Sequence, residues 1–198
     1  MLINLRNALM AGKRLPYDAE VEFLESTGTQ YIETGVIPDW NTKLSVTAAV
    51  TATTEQFMGA IDAGAYRFHF SFYSNGYFRG CVGKQQIGMG SSDQLVHTFT
   101  IDAPNNTVSE DGTPYSFQTS GLIPSVSIWL FGRNSDYSPY IRYIKIRVYS
   151  CKIWDNNVLV RDFIPVRKGT VGYLYDRVSK RLFGNAGSGD FVLGQDKN

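Results

Sequence analysis

The sequence predicts an all-β protein built as an antiparallel β-sandwich, and three observations carry this prediction. After Pro16, apolar and polar residues alternate with a period of two, which is typical of strands that are buried on one face. Turn residues interrupt this alternation roughly every 8–12 residues, as they do in sandwiches and barrels. Beyond the N-terminal segment, no helical pattern is long enough to connect parallel strands.

The predicted strands are short and follow one another along the chain. They cover residues 20–25, 31–34, 43–54, 65–74, 77–82, 95–102, 107–110, 125–131, 140–152, 158–163, 173–176, 181–183 and 191–193. Asn75-Gly76 is the strongest turn signal, because a two-residue type I′ hairpin requires positive φ at both central positions. Asp111-Gly112 and the sequence Asp155-Asn156-Asn157 predict further turns.

The segment of residues 65–74 shows the clearest alternation. One face carries Tyr66, Phe68, Phe70 and Phe72, and the other carries Arg67, His69, Ser71 and Tyr73. The aromatic face predicts burial in the core of the sandwich. The polar face is interpreted either as a wet sheet surface or as a groove in which His69 joins Arg67 and Tyr73.

An N-terminal segment, residues 1–17, precedes the predicted sandwich domain of residues 18–198. Its apolar stripe lies near helical spacing and consists of Leu2, Ile3, Leu5 and Leu9. A lone helix of about ten residues is unstable in water, so we expect this stripe to dock on a partner protein or a neighbouring subunit; an extended or frayed tail is the alternative. We find no signal peptide and no apolar run long enough to span a membrane.

Several motifs resemble the laminin-G-like and concanavalin A-like jelly rolls. They are the strand from His97 to Ile101 with Val108 and Asp111-Gly112, the strand from Ile128 to Gly132, and the strands 144–150 and 158–165. The resemblance implies a jelly-roll β-sandwich with a short helical or extended segment at the N-terminus.

A narrower resemblance joins residues 21–35, 172–176 and 182–189. Together these segments are similar to a group of proteins from gut bacteria and their phages and prophages, often described as virion, tail or surface components. This resemblance implies a place on a virion, as a head fibre, tail or decoration protein, or on the bacterial cell surface. It transfers no named site residue.

The residue pattern does not predict an enzyme. Glu20 and Glu22 share a strand face, as the carboxylates of laminarinase-type glycoside hydrolases do, but the central Asp of that motif is missing. His69 and His97 are the two histidines, and neither lies in the sequence context of a nucleophile elbow.

The sequence predicts no cofactor but leaves calcium open. The jelly-roll resemblance implies that rim carboxylates and carbonyls could hold calcium, and Asp136 with Asn134, or Asp93 with Asp62, are the pairs considered. The two cysteines and two histidines show no spacing typical of zinc. We interpret the cysteines as small apolar residues within strands, with a single disulfide as the alternative.

Binding of a surface polysaccharide or other glycan is the function that the sequence favours. Sugar recognition needs an apolar platform with a few placed polar groups. The candidate glycan-binding residues lie in turn-rich segments and are Trp40, Tyr115, Arg133, Asn134, Asp136, Tyr137 and Tyr140. We expect them in loops, because loops carry binding on rigid sandwiches; packing of each aromatic ring within its own loop is the alternative.

The formal net charge of +1 argues against general nucleic-acid binding. The charge is uneven, because residues 142–181 contain 10 Lys and Arg against 3 Asp and Glu. Lys145 and Arg147 alternate on one strand face that could meet an acidic glycan or a partner protein; a solvated face that prevents edge-to-edge pairing is the alternative.

The residue patterns and the two resemblances together predict a non-enzymatic attachment module of a virion or cell surface, whose lectin-like domain binds glycans. The N-terminal segment would join it to a virion or surface protein. A purely structural subunit without ligand and a glycoside hydrolase-like enzyme are the alternatives, and a homo-oligomer stays open.

Overall fold

Two β-sheets pack on a shared aromatic core in the computed structural model, which describes residues 15–52, 56–72, 77–90, 93–138 and 141–197. The predicted all-β antiparallel sandwich is confirmed. The apolar stripe Leu2, Ile3, Leu5 and Leu9, the turn Asn75-Gly76, Tyr73 and Tyr140 lie outside the described residues. Within the described ranges, no helix has the length and apolar composition needed to cross a membrane.

The strands alternate with turns, and a 3₁₀ turn lies at Ala103–Asn105. In chain order they are β1 (Ala19–Glu20), β2 (Leu24–Thr27), β3 (Ile32–Glu33), β4 (Thr42–Val50), β5 (Gln56–Ile61), β6 (Arg67–Phe72), β7 (Phe78–Gly83), β8 (Gln85–Gly88), β9 (His97–Asp102), β10 (Thr107–Glu110), β11 (Thr113–Ser116), β12 (Trp129–Leu130), β13 (Gly132–Ser135), β14 (Arg142–Tyr143), β15 (Lys145–Asp155), β16 (Val158–Lys168), β17 (Val171–Asp176), β18 (Arg181–Phe183) and β19 (Val192–Leu193).

The larger sheet has the main order β11-β10-β9-β4-β15-β16-β17-β18, with β1 beside β16 and β2 between β15 and β19. Two of its hairpins use predicted turns. Asp111 and Gly112 have φ of 48° and 82°, and Asn156 and Asn157 have φ of 48° and 64°. Positive φ at both central positions matches the right-handed twist of the flanking strands, which is why Asn, Asp and Gly occupy these turns.

The smaller sheet has the order β14-β13-β5-β6-β7-β8, with β12 pairing to β3 and β5. One pairing departs from the antiparallel prediction, because β13 runs parallel to β5. Phe131, with φ of 63°, separates β12 from β13. The chain therefore lies against Gly59 twice, first through Trp129 and then through Arg133.

The aromatic face of β6 fills the core, as predicted. Phe68, Phe70 and Phe72 are fully buried, and the ring of Phe99 on β9 lies 5.8 Å and 5.2 Å from those of Phe70 and Phe72. These contacts join the two sheets. Tyr66, predicted on the same face, lies before β6 and is only half-buried.

Several predicted strands differ in extent from the observed ones, and three of them show the reason. The strand predicted over residues 20–25 is divided, because β1 pairs with β16 whereas β2 pairs with β15. The strand predicted over residues 125–131 shortens to β12. The strand predicted over residues 158–163 continues to Lys168, and its second half pairs with β17.

The end of the described chain lies on the strand with which the sandwich begins. β19 pairs with β2, Val21 forms a bridge with Asp196, and the N–H of Lys197 donates to the carbonyl of Glu20 at 2.9 Å. One ladder therefore joins residues 20–25 to residues 192–197.

Candidate functional site

The residues predicted to bind a glycan lie in different environments. Trp40 and Tyr115 are half-buried against the core, and the Trp40 ring lies 6.4 Å from that of Phe117. Tyr115 belongs to β11, so its prediction as a loop residue is wrong. Asp136 and Tyr137 are exposed. Packing, the alternative considered for the aromatic residues, therefore describes Trp40 and Tyr115.

Arg133 and Asn134 lie in β13, which corrects the prediction that they belong to a loop. Parallel pairing with β5 makes this segment a strand. The Asn134 amide donates to the carbonyl of Ser127 at 2.8 Å, so it serves local structure. Arg133 is buried on the outer face of the smaller sheet, with its guanidinium carbon 4.0 Å from the centroid of the Phe57 ring.

Three other aromatic rings stack at the edge of the smaller sheet. The centroids of Tyr31 and Trp129 are 3.8 Å apart, and those of Tyr31 and Tyr143 are 5.6 Å apart, with interplanar angles of 24° and 28°. Trp129 is buried, whereas Tyr143 is 46% exposed. The stack therefore presents Tyr143 to solvent with rigid aromatic support.

Tyr143 borders a pocket where the two sheets meet. The pocket, here called the rim pocket, has a volume of about 460 Å³ and is lined by Thr27, Gly28, Thr51, Ala52, Gln56, Tyr143 and Lys145. The side-chain oxygen Oε1 of Gln56 accepts the backbone N–H of Lys145 at 3.0 Å and so joins the two sheets at the pocket.

A glycine makes room for the stack. Gly132 lies opposite Tyr143 in the register of β13 and β14. A Cβ atom at Gly132 would lie 2.7 Å from the carbonyl of Arg142 and 3.7 Å from the Trp129 ring. The absence of a side chain at Gly132 therefore allows β14 and the stacked rings to lie close to β13.

Two distant segments, both part of the narrower resemblance, meet behind Tyr31. The Gln30 side chain is buried, accepts the N–H of Thr27 at 2.9 Å and donates to the carbonyl of Asp190 at 3.1 Å. The N–H of Ala186 donates to the carbonyl of Tyr31 at 2.9 Å. The loop of residues 184–190 therefore positions Tyr31, and through it the stack.

His69 is buried, which corrects its interpretation as a residue on a wet face. It lies opposite Cys81 across β6 and β7. Burial lowers the pKa of His69 well below its usual value, and the charge of Arg133 lowers it further. Burial raises the pKa of Cys81 to about 12. A neutral thiol beside a neutral imidazole is a poor nucleophile, so this pair does not resemble an activated dyad. Both cysteines are free and buried.

A histidine and three carboxylates cluster at the start of β9. The Nδ1 atom of His97 lies 2.6 Å from Oδ2 of Asp111 and 3.4 Å from Oε1 of Glu110, and its Nε2 atom lies 2.9 Å from Oδ1 of Asp93. The ligand atoms of His97, Glu110 and Asp111 lie within 4.8 Å of one another. Asp62, paired with Asp93 in the calcium prediction, accepts a backbone N–H in its own turn at 3.0 Å. Since carboxylates engage both ring nitrogens, we interpret the cluster as a clamp on the β9–β10 hairpin.

Because of its two histidines, the protein should have its highest free energy of unfolding near pH 6.5, which is the ordinary pKa of histidine. Burial lowers the pKa of His97, but the hydrogen bonds that its ring donates to Asp111 and Asp93 outweigh this effect, so the pKa is raised. Its contribution is therefore full below about pH 6.5 and is lost as the pH rises through the folded pKa. His69 has the opposite shift, and its contribution is lost as the pH falls below about 6.5.

Urea unfolding of the wild type and of His97→Gln, measured between pH 5.5 and 9, checks this prediction. The variant should lack the decline of stability above pH 6.5 and keep the decline below it. An alkaline decline of equal size in both proteins contradicts the clamp.

Lys145 and Arg147, which were predicted to form one basic face, have different surroundings. The Nε atom of Arg147 donates to Glu25 at 2.7 Å, and its guanidinium carbon lies 4.7 Å from the centroid of the Phe23 ring. Lys145 is exposed at the rim pocket. Arg147 therefore stabilises the pairing of β2 with β15, while Lys145 is placed to meet a ligand.

Comparison with known proteins finds no matching family model and no matching curated protein. Function is therefore inferred from the geometry and charge of the described residues. The rim pocket has the clearest geometry, because it joins an immobilised, exposed ring to polar side chains from both sheets.

Proposed function

We propose that this protein is a non-enzymatic attachment module that binds a surface glycan in the rim pocket. The observation that carries the proposal is the Tyr143 ring, exposed at the pocket and supported by Tyr31 and Trp129. A ring immobilised in this way presents a flat apolar surface to the C–H face of a sugar, and little conformational entropy is lost on binding.

Polar groups around the platform suit the hydroxyl groups of a sugar. Thr27 and Thr51 bring hydroxyls, and Lys145 brings an exposed ammonium group. The volume of about 460 Å³ falls within the roughly 300–1,000 Å³ of small-ligand sites. An apolar platform with a few polar groups is the composition expected of such a site.

The lining also supports binding over hydrolysis. None of the described residues that line the rim pocket carries a carboxylate, an imidazole or a thiol. Hydrolysis of a glycosidic bond normally needs two carboxyl groups beside the scissile bond. A glycoside hydrolase-like activity is therefore not proposed for this pocket.

The surrounding assembly is proposed from the sequence. The narrower resemblance supports a lectin-like component of a virion or of the bacterial surface. The N-terminal stripe of Leu2, Ile3, Leu5 and Leu9 is the proposed contact with a virion or surface protein, because an isolated short helix needs a partner to cover its apolar face.

Binding of bacterial surface polysaccharides on a glycan array, followed by calorimetry with a bound oligosaccharide, tests the site. We expect Tyr143→Ala to weaken binding about tenfold, because it removes the platform. Tyr143→Phe should bind nearly as the wild type does. Tyr137→Ala is the matched control and should leave binding unchanged, because this ring is 50% exposed, close to the 46% of Tyr143, but does not line the pocket.

Two results contradict the proposal. One is the absence of glycan binding at high protein concentration, which would favour a purely structural subunit. The other is unchanged binding by Tyr143→Ala together with weakened binding by Tyr137→Ala, which would place the site at the loop that the sequence first suggested.

A further inference from the structure

The outer face of the smaller sheet carries a second concavity, here called the arginine concavity. It has a volume of about 240 Å³ and is lined by Phe57, Ile61, Ala65, Arg67, His69, Gln86 and Arg133. It shares no described lining residue with the rim pocket. The two surfaces can therefore be altered separately.

Strand register brings these side chains together. Arg133 lies opposite Gly59, Gly59 opposite His69, and His69 opposite Cys81, so that one row crosses four strands. Gly59 contributes no side chain to this row, and a Cβ atom there would lie 2.7 Å from the Cα atom of His69. Arg67 lies two residues before His69 and so projects from the same face of β6.

Arg133 is held in place before any ligand binds. Its guanidinium carbon lies 4.0 Å from the centroid of the Phe57 ring, and the residue is only 6% exposed. The Phe57 ring in turn meets the His69 ring edge to face at 5.6 Å. A guanidinium group fixed by stacking loses little further entropy when it binds an anion.

The arginines determine the charge of the concavity. The lowered pKa of His69 leaves its imidazole neutral at neutral pH, and the raised pKa of Cys81 leaves the thiol uncharged. None of the described lining residues carries a carboxylate. The positive charge of the concavity therefore comes from the guanidinium groups of Arg67 and Arg133.

A shallower depression continues from the concavity across β7 and β8. It is lined by Tyr77, Arg79, Gln86 and Gly88, and Gln86 belongs to both surfaces. The combined track therefore passes three arginines and an exposed tyrosine ring, Tyr77. A track of this kind is longer than one small anion needs, and it suits a polymer.

We infer that this face binds an acidic polysaccharide, with a carboxylate or sulfate group of one sugar in the arginine concavity and the chain extending towards Arg79. Guanidinium groups bind such oxyanions through paired, charge-assisted hydrogen bonds. The low net charge of the chain argues against a general nucleic-acid surface. This inference goes beyond the proposed glycan site and does not depend on it.

Calorimetry of the full chain with polygalacturonate, dextran sulfate and uncharged dextran tests the inference. We expect binding of at least one charged polymer, weakened by added salt, and no binding of dextran. The two charged polymers distinguish a carboxylate site from a sulfate site. The double variant Arg67→Gln/Arg79→Gln should weaken binding about tenfold or more. Arg181→Gln/Lys180→Gln, an equal charge change at exposed positions at the larger sheet, should not.

Two further variants separate the role of the paired donors from that of charge, and this site from the rim pocket. Arg133→Lys retains the charge but loses the paired donors, so binding should weaken while thermal unfolding shows a folded protein. Tyr143→Ala should bind the charged polymers as the wild type does, which separates this inference from the rim pocket. Three results overturn it: no binding of either charged polymer, equal losses in the two double variants, or equally tight binding of single-stranded DNA.

Discussion

Asp176→Ala should lower the free energy of unfolding by about 3 kcal/mol, because it leaves several donors without their acceptor. The carboxylate is fully buried. It accepts the backbone N–H of Asp162 at 2.9 Å, that of Val178 at 3.0 Å, and the hydroxyl of Ser179 at 2.6 Å. One side chain thus joins β16 to the turn between β17 and β18. Urea unfolding at pH 7 measures the loss.

At acidic pH the free energies of unfolding of the wild type and of Asp176→Ala should become more similar. Burial raises the pKa of Asp176, but the hydrogen bonds outweigh it and the pKa is lowered. The stability that Asp176 contributes is therefore present above its ordinary pKa of about 3.9 and is lost as the pH falls through the folded value. Asp190→Ala, at an exposed position in the C-terminal loop, is the control and should change stability by less than about 0.5 kcal/mol. Equal effects of the two substitutions contradict the proposed role.

Gly59→Ala should destabilise the protein by about 3 kcal/mol or more, because the backbone and the space at this position exclude a side chain. Gly59 has φ of 135°, and a Cβ atom there would lie 2.3 Å from the carbonyl oxygen of Phe68. Since Gly59 lies against both Trp129 and Arg133, the variant should also weaken binding at both proposed sites. Thermal unfolding and the two binding assays measure these effects.

Gly88→Ala is the matched control for Gly59→Ala. Gly88 lies in β8 of the same sheet, and no atom lies within 4 Å of a Cβ built there. We expect a change of less than about 0.5 kcal/mol. Similar destabilisation by both substitutions would mean that glycine flexibility, and not the close approach at Gly59, determines the result.

The parts of the fold that depend on local chemistry could be predicted from the sequence. The burial of Phe68, Phe70 and Phe72 follows from a period of two with aromatic residues on one face. The turns at Asp111-Gly112 and Asn156-Asn157 follow from the residue types that tolerate positive φ. Both signals lie within a few neighbouring residues.

The rim pocket could not be predicted, because it depends on register between distant strands. An alternating pattern cannot show that Tyr143 faces solvent while Trp129 is buried behind it. Similarly, Arg133 looks like a loop residue until its parallel pairing with Gly59 is known. One signal was present in the sequence: the segments 21–35 and 182–189 both belong to the narrower resemblance, and they meet at Tyr31, whose carbonyl accepts the N–H of Ala186.

The ladder between residues 20–25 and residues 192–197 has a consequence for synthesis on the ribosome. Residues 20–25 leave the exit tunnel long before residues 192–197, with which they pair, so this contact closes a long loop of the chain. Such high contact order slows folding, because the chain loses the entropy of loop closure before the paired strands stabilise it. A nascent chain that stops before residue 192 would leave Val21 and Leu24 without the strand that pairs with them, so the sandwich cannot be completed until residues 192–197 have left the tunnel.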